Sequence, residues 1–158
     1  MLSKKTYYAL KALVALGKAH GNVEHPVLIQ TLIDQEGLPK KFLESILVNL
    51  KQAGIVKSRM GKGGGYYLAR AADEIMIGSV VRVMEGPLAL LTCVSQTAYS
   101  VCSHCQDDRQ CGIRWLFKQV RDQTATLLDT TSLQTLVGQE LSFEKLFQNG
   151  RKGDRYEI

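Results

Sequence analysis

With 158 residues, the chain is long enough for one well-buried domain with an appended arm but too short for two large domains. Its composition, 45% hydrophobic and 22% charged, is that of an ordinary globular protein, and no apolar run approaches the ~20 residues that span a membrane. Residues 1–70 have a net charge of +7 and residues 71–158 a net charge of −2. We therefore expect a cytoplasmic protein whose first half meets a polyanion, although a solvated lysine face would give the same asymmetry.

Three amphipathic helices are predicted in the first half of the chain. Apolar residues recur at three- and four-residue spacing over residues 3–19, again after Pro26, which suits a first helical turn, and again after Pro39. Gly37 suits the C-terminal cap of the second helix. Only Gly37 and Leu38 separate the second helix from the start of the third at Pro39. Two helices joined by so short a turn form the helix-turn-helix pattern.

A β-hairpin is predicted to follow the third helix. Residues 55–59 alternate as a short strand, residues 61–65 form a glycine-rich tip, and residues 66–69 form the second strand. A hairpin in this position is a wing, so residues 1–70 are predicted to be a winged helix-turn-helix domain. The tandem glycines permit positive φ and close approach of another molecule, although a plain hairpin turn would also explain them.

The third helix and the wing supply the candidate DNA contacts. Helix-turn-helix proteins present the N-terminal part of the second helix of the motif to base edges in the major groove. Glu44 lies there and is suited to accept a hydrogen bond from cytosine N4; a surface glutamate stabilised by neighbouring lysines is the alternative. Basic residues of the wing can enter the minor groove. The residues predicted to contact DNA are Lys40, Lys41, Glu44, Ser45, Lys51, Arg59, Lys62, Gly63 and Gly64.

The second half of the chain is predicted to contain four segments. Residues 71–91 form a connecting helix, centred on 75–85, and a linker. Residues 92–112 form a cysteine-rich loop, because apolar periodicity is weak there. A long helical pattern covers 113–136, and residues 137–158 are expected to be a flexible tail.

All four cysteines, Cys93, Cys102, Cys105 and Cys111, fall in the predicted loop. In a reducing compartment such a cluster is better explained by metal ligation or redox chemistry than by disulfides. Thiolates favour iron–sulfur clusters, zinc or copper(I). The Cys102–Cys105 pair alone would suit half a zinc site or a redox pair, whereas the separated outer cysteines favour an iron–sulfur cluster. Buried cysteines that act as small hydrophobic residues are the alternative to any site.

The wing SRMGKGGGYYLA, the segment GSVVRVMEG and the motif CxxxxxCGIRW resemble the Rrf-two family of bacterial transcriptional regulators, with a likeness over residues 4–136. The expected fold is mainly α with a small β-hairpin wing, a winged helix-turn-helix followed by a long C-terminal dimerisation helix. The resemblance implies a homodimer, a pseudo-palindromic DNA operator, dimer contacts by residues 113–133 and a DNA contact by Glu44. The family's wing arginine falls on Met60 here, so Arg59 or Lys62 takes its place.

The resemblance also implies a set of cluster ligands. Three of the family's cysteine ligands correspond to Cys93, Cys105 and Cys111. The fourth ligand varies in the family: a histidine of some members falls on Arg114, and an acidic ligand of nitric oxide-sensing members falls on Tyr7. Cys102 can complete an all-cysteine set, with His104 as a weaker substitute, and such a set suits a two-iron or a four-iron cluster.

The sequence therefore predicts a repressor or dual regulator whose DNA affinity depends on an iron–sulfur cluster. A metal-free thiol redox switch, using Cys102 and Cys105 or a pair of the outer cysteines, is the first alternative. A zinc-stabilised module that binds protein is the second. An enzyme is not expected, because no nucleophile–base pair or paired carboxylates stand out in the sequence.

Overall fold

The computed structural model describes residues 2–19, 25–105 and 110–148, with side chains described as far as residue 142. Within these ranges the chain is mainly helical and has one two-stranded antiparallel sheet, which confirms the predicted fold class. The helices are α1 (Lys4–Lys18), α2 (Ile29–Glu36), α3 (Lys40–Gln52), α4 (Ile77–Glu85), α5 (Gly112–Thr130) and α6 (Leu133–Gln148). The strands are β1 (Val56–Arg59) and β2 (Gly65–Leu68), and short 3-10 turns lie at Ala72–Glu74 and Thr92–Val94. Each described helix is too short or too polar to cross a membrane.

The core is built around α1, which packs against α2, α3, α4 and α6. Apolar side chains at three- and four-residue spacing are buried on α1 and α3, including Leu13, Leu16, Leu43 and Leu47. Gly37 ends α2 with a φ of 63°, and its N–H donates to the carbonyl of Ile33 at 2.9 Å. The predicted helix-turn-helix is therefore present.

The second helix begins later than the sequence predicts. The sequence predicts Pro26 in its first turn, but α2 begins at Ile29. The intervening Val27 is extended and exchanges two backbone hydrogen bonds of 2.8 Å with Tyr66 of β2. This pairing holds the base of the wing against the helix-turn-helix.

The wing pairs β1 with β2 in antiparallel register, with Val56 opposite Leu68 and Arg59 opposite Gly65. Gly64 is buried, and a Cβ there would lie 2.4 Å from the carbonyl oxygen of Arg59. A Cβ at Gly65 would lie 2.4 Å from the carbonyl oxygen of Val27. The packing of the hairpin itself therefore requires these two glycines.

The C-terminal helix is interrupted, which differs from the predicted helix over 113–136 and flexible tail over 137–158. The backbone of Ile75 and Ile77 exchanges hydrogen bonds of 2.8 and 2.9 Å with Leu133 and Thr131. This pairing keeps Thr131 extended, so α5 ends at Thr130 and a separate helix, α6, begins at Leu133. Residues 137–148 are thus helical, and residues 149–158 of the predicted tail lie outside the described residues.

A close contact between α1 and α6 gives a stability prediction. A Cβ at Gly17 would lie 2.7 Å from Cγ2 of the buried Val137, whereas a Cβ at Gly138 would meet nothing within 4 Å. We expect Gly17→Ala to lower the free energy of unfolding by about 1 kcal/mol, because overpacking outweighs the gain in helix propensity. Gly138→Ala, the matched control, should raise it by about 0.5–1 kcal/mol. Urea unfolding measures both, and equal effects of the two substitutions would contradict the close α1–α6 contact.

A carboxylate joins the end of α4 to the start of α1. The backbone N–H of Ser3 donates to Glu85 Oε1 at 2.6 Å, and the hydroxyl of Thr6 donates to the same oxygen. Hydrogen bonds from Ser3 and Thr6 lower the pKa of Glu85 to about 2. Because the ionised form is the one that accepts these bonds, Glu85 stabilises the fold above its unfolded pKa of about 4.3.

The depressed pKa of Glu85 predicts a pH dependence. The stabilisation by this carboxylate should be lost as the pH falls from about 4.3 towards 2. Glu85→Gln should therefore lower the thermal unfolding midpoint at pH 7, and the difference from the native protein should shrink steadily below pH 4. The exposed Glu74 gives a control, because Glu74→Gln should leave the unfolding midpoint at pH 7 close to native. A Glu85→Gln difference that is constant with pH would count against the carboxylate's role.

Candidate DNA-binding surface and cysteine site

The outer face of α3 presents the residues predicted to contact DNA. Leu43, Ile46, Leu47 and Leu50 are buried, which turns the opposite face of the helix outward. The predicted contacts on that outward face are all exposed: Lys40, Lys41, Glu44, Ser45 and Lys51. An edge-on contact between Phe42 and Tyr8, with ring centroids 5.6 Å apart, sets α3 against α1.

The wing continues this basic surface. Lys51 of α3 donates from Nζ to the hydroxyl of Ser58 in β1 at 2.7 Å, so one predicted DNA contact also joins the helix to the wing. The wing residues Arg59, Lys62 and Gly63 are exposed, as is Met60 at the position of the family's wing arginine. Of the predicted wing contacts, Gly64 alone is buried, and it can offer a partner little surface.

Three of the four cysteines converge at the start of α5. Cys102 and Cys105 share a tight turn, in which the N–H of Cys105 donates to the carbonyl of Cys102 at 3.3 Å. Thiol hydrogen bonds with Cys111 and with Cys102 raise the pKa of Cys105 to about 12. Cys111 is the N-cap of α5, and its Sγ accepts a hydrogen bond from the N–H of Arg114 at 3.5 Å. That bond lowers the pKa of the Cys111 thiol, so the thiolate form of Cys111 is favoured over that of Cys105.

The fourth cysteine, Cys93, lies in the 3-10 turn Thr92–Val94 and is 7% exposed. Two arginines of α5 hold this turn. Nε of Arg114 donates to the carbonyl oxygen of Cys93 at 3.1 Å, and Nη1 of Arg121 donates to that of Val94. Arg114 therefore bonds to Cys93 through its side chain and to Cys111 through its backbone.

The donor set suits a soft metal centre. Among the described residues, no three of His, Cys, Asp and Glu stand in the arrangement that holds a metal ion. The thiol of Cys105 nevertheless lies within hydrogen-bonding reach of both Cys102 and Cys111. Because hydrogen-bonded thiols share the space that thiolate ligands of one centre would occupy, these residues fit a soft metal centre in their chemistry. His104, the weaker substitute ligand, is exposed.

A stripe of exposed apolar side chains runs along α5. No residue of this 19-residue helix is buried, and Ile113, Leu116, Val120 and Leu127 recur along one side of it. Ile113 is 63% exposed and Leu127 is 67% exposed. So many large apolar side chains on one helical face are typical of a surface that another molecule covers.

An ion pair that the sequence analysis missed joins α5 to α4. Arg82 donates to both carboxylate oxygens of Asp129, at 2.5 and 2.8 Å. The hydrogen bonds from Arg82 lower the pKa of Asp129. A Cβ at Gly78 would lie 1.9 Å from Asp129 Oδ1, so this glycine makes room for the carboxylate. No local sequence pattern marks a pair 47 residues apart, which is why it escaped prediction.

Comparisons with known proteins agree with these features. Residues 2–139 match the Rrf2 family, described as iron-dependent transcriptional regulators. A protein of Rhodobacter capsulatus, named as an rrf2-like HTH-type transcriptional regulator, is 36% identical over 94% of this chain and 100% of its own length. The HTH-type regulator CymR of Bacillus subtilis is 31% identical over 85% of this chain and 88% of its own. The regulator IscR of Erwinia tasmaniensis is 27% identical over 88% of this chain and 79% of its own.

Solved structures show the same fold. CymR of B. subtilis, the global cysteine regulator of that organism, superposes with a TM-score of 0.71 at 29% identity and covers 87% of this chain and 96% of its own. IscR of T. potens superposes with a TM-score of 0.67 at 25% identity and covers 99% and 94%. The winged-helix architecture is thereby confirmed. These relatives are transcriptional regulators rather than enzymes, as the sequence predicts.

Proposed function

Because this chain belongs to the Rrf2 family of transcriptional regulators, we propose that it is a cytoplasmic homodimer whose operator binding depends on an iron–sulfur cluster. The proposed ligands are Cys93, Cys102, Cys105 and Cys111. The observation that carries this proposal is that Cys105 contacts both Cys102 and Cys111 at the N-cap of α5, the helix to which the turn of Cys93 is also bonded. When bound, an iron–sulfur cluster would supply a state that oxidation or iron loss can change.

DNA recognition is assigned to the exposed face of α3 and to the wing. The lysines of α3 (Lys40, Lys41 and Lys51) are suited to phosphate contacts, which fix position without reading sequence. Glu44 and Ser45 lie between them and are proposed to face base edges in the major groove. Arg59, Lys62 and the exposed Gly63 are proposed to contact the minor groove or the adjacent backbone, with Gly64 shaping the turn between them.

Dimerisation is assigned to the apolar stripe of α5. An operator with two related half-sites requires two recognition helices at a fixed separation. Because Cys111 is the N-cap of α5 and α5 carries the stripe, a change in the cysteine site acts directly on the helix that would set this separation. The Arg82–Asp129 pair joins the other end of α5 to α4, and Glu85 of α4 is bonded to the start of α1. These contacts connect the cysteine site to the DNA-binding domain.

A metal-free thiol switch is the second candidate, favoured by the hydrogen bond between Cys105 and Cys111. A hydroperoxide could oxidise this pair: the two thiols would lose two hydrogens and form one disulfide, and the peroxide would be reduced to an alcohol and water. The similarity to CymR, a cysteine regulator, is consistent with such chemistry. A zinc-stabilised module that binds protein instead of DNA is disfavoured, because the matched family consists of transcriptional regulators.

Anaerobic reconstitution with iron and sulfide separates these functions. If the protein binds the proposed cluster, we expect visible absorption, bound iron and acid-labile sulfide. Removal of the cluster should then change the operator affinity by about tenfold. A suitable operator can be selected from random-sequence DNA with the native protein. A colourless, iron-free protein after reconstitution would reject the cluster, and a peroxide-dependent change in its DNA affinity would then support the thiol switch.

Glu44→Ala tests direct base recognition. Loss of one base contact should relax the preference at one position of each half-site, a discrimination of about 1–3 kcal/mol. Lys41→Ala is the matched control on the same helix face: it should weaken binding to all sequences alike and reduce the salt dependence by about two counterions, one for each half-site. Binding to a panel of single-substituted operators measures both. An unchanged preference in Glu44→Ala would make Glu44 a surface residue only.

A further inference from the structure

The carbonyl groups of the turn that holds Cys93 divide into two sets. Those of Leu91 and Thr92 accept backbone hydrogen bonds from within the loop, from the N–H groups of Val94 and Ser95. Those of Cys93 and Val94 accept from arginine side chains of α5 instead. The turn is therefore closed on one side by its own backbone and on the other side by the helix. Because buried carbonyl groups need hydrogen-bond donors, these two arginines fix the position of the turn against α5.

Arg114 and Arg121 are placed to act together. They are seven residues apart, which is nearly two helical turns, so they project from the same side of α5. Their acceptors are consecutive carbonyl groups of the 3-10 turn. The side chain of Arg121 is 12% exposed, and Asp122 accepts a hydrogen bond from its Nε at 2.8 Å, which balances its charge and leaves Nη1 directed at Val94.

We propose that Arg114 and Arg121 are positioning residues, which hold the Cys93 turn against α5 so that Cys93 reaches the same cofactor as Cys111. The proposal rests on the function inferred above. It gives Arg114 a different role from that of a ligand, although a histidine ligand occupies this position in some relatives. The backbone N–H of Arg114 fixes the Cys111 thiol and its side chain fixes the Cys93 backbone, so one residue sets the separation of two proposed ligands.

The arginine contacts can be tested without the cofactor, through the accessibility of Cys93. In the anaerobic apo-protein, Arg114→Ala and Arg121→Ala should each raise the rate at which iodoacetamide alkylates Cys93 by about tenfold, which corresponds to about 1.4 kcal/mol of easier opening. Peptide mass spectrometry follows each cysteine separately. The rates at Cys102 and Cys105 in the same molecules should stay native and serve as an internal reference.

Three further variants make the test specific. Lys118→Ala removes a positive charge from an exposed position of the same helix and should leave the Cys93 rate unchanged. Arg114→Lys and Arg121→Lys keep a hydrogen-bond donor at each position. In these variants the alkylation rate of Cys93 should therefore stay much closer to native than in the alanine variants. If alkylation of Cys93 stayed native in both alanine variants, the positioning role would be rejected, whether or not the protein binds a cluster.

The second readout follows the cofactor. After reconstitution, Arg114→Ala should hold less iron than the native protein and resemble Cys93→Ser in its visible circular dichroism. Native iron content and spectrum in Arg114→Ala would overturn the proposal. If the native protein itself binds no iron, the proposed cluster fails, and the alkylation rates alone decide whether the arginines position the Cys93 turn.

Discussion

Leu116→Asp should give a folded monomer that binds the selected operator about 100-fold more weakly than the native protein. The side chain of Leu116 is 51% exposed in the single chain, so its replacement removes little from the core of the subunit. In a dimer built on α5, however, a carboxylate at this position would be placed among the apolar side chains of both subunits, where an unpaired charge is costly. A dimer gains affinity for the operator because it binds two linked half-sites at once, typically 100-fold or more, and separated subunits lose this gain in affinity.

Analytical ultracentrifugation and fluorescence anisotropy with labelled operator DNA measure the two effects. Thr126→Asp adds the same charge to an exposed position on another side of α5, so it should leave both the dimer and the DNA affinity close to native. A Leu116→Asp protein that is still dimeric would show that the subunits meet elsewhere. A monomer with native operator affinity would show that dimerisation is not needed for binding.

The DNA-binding half could be predicted from the sequence because its signals are local. The periodicity of α3 places Leu43 and Leu47 inside and Glu44 outside, and Gly37 ends α2 as its position predicts. The wing was also predicted, but the reason for its glycines was not. A side chain at Gly64 or Gly65 would collide with the carbonyl group of Arg59 or Val27, respectively. No local sequence pattern indicates this packing.

The second half was predicted less well because distant backbone segments determine it. A continuous apolar pattern runs through residues 113–136, yet pairing of residues 75–77 with 131–133 divides that pattern into α5 and α6. The one local signal for this break is Ser132, whose hydroxyl accepts from the N–H of Thr135 as an N-cap would. The contacts of Arg114 and Arg121 were likewise hidden, because their acceptors are main-chain carbonyl groups 21 and 27 residues away.

Cys111→Ser should lose the iron–sulfur cluster while it keeps the start of α5 intact. Serine is among the preferred N-cap residues, so its hydroxyl can accept the hydrogen bond from Arg114 that Cys111 now accepts. Its hydroxyl is a poor ligand for iron compared with a thiolate, however. We expect the reconstituted variant to hold about a tenth of the native iron or less, with a native thermal unfolding midpoint in the apo form.

The other cysteines make this experiment a test of the whole ligand set. Cys93→Ser and Cys105→Ser should lose iron as Cys111→Ser does, and the same loss in Cys102→Ser would identify Cys102 as the fourth ligand. His104→Ala, which alters an exposed neighbour of the same turn, should retain native iron. Native iron content in Cys111→Ser would contradict the proposed cluster site. Cys111 is the proposed ligand at the N-cap of α5, the helix proposed to join the two subunits. Iron loss in His104→Ala with retention in Cys102→Ser would assign the fourth position to the histidine.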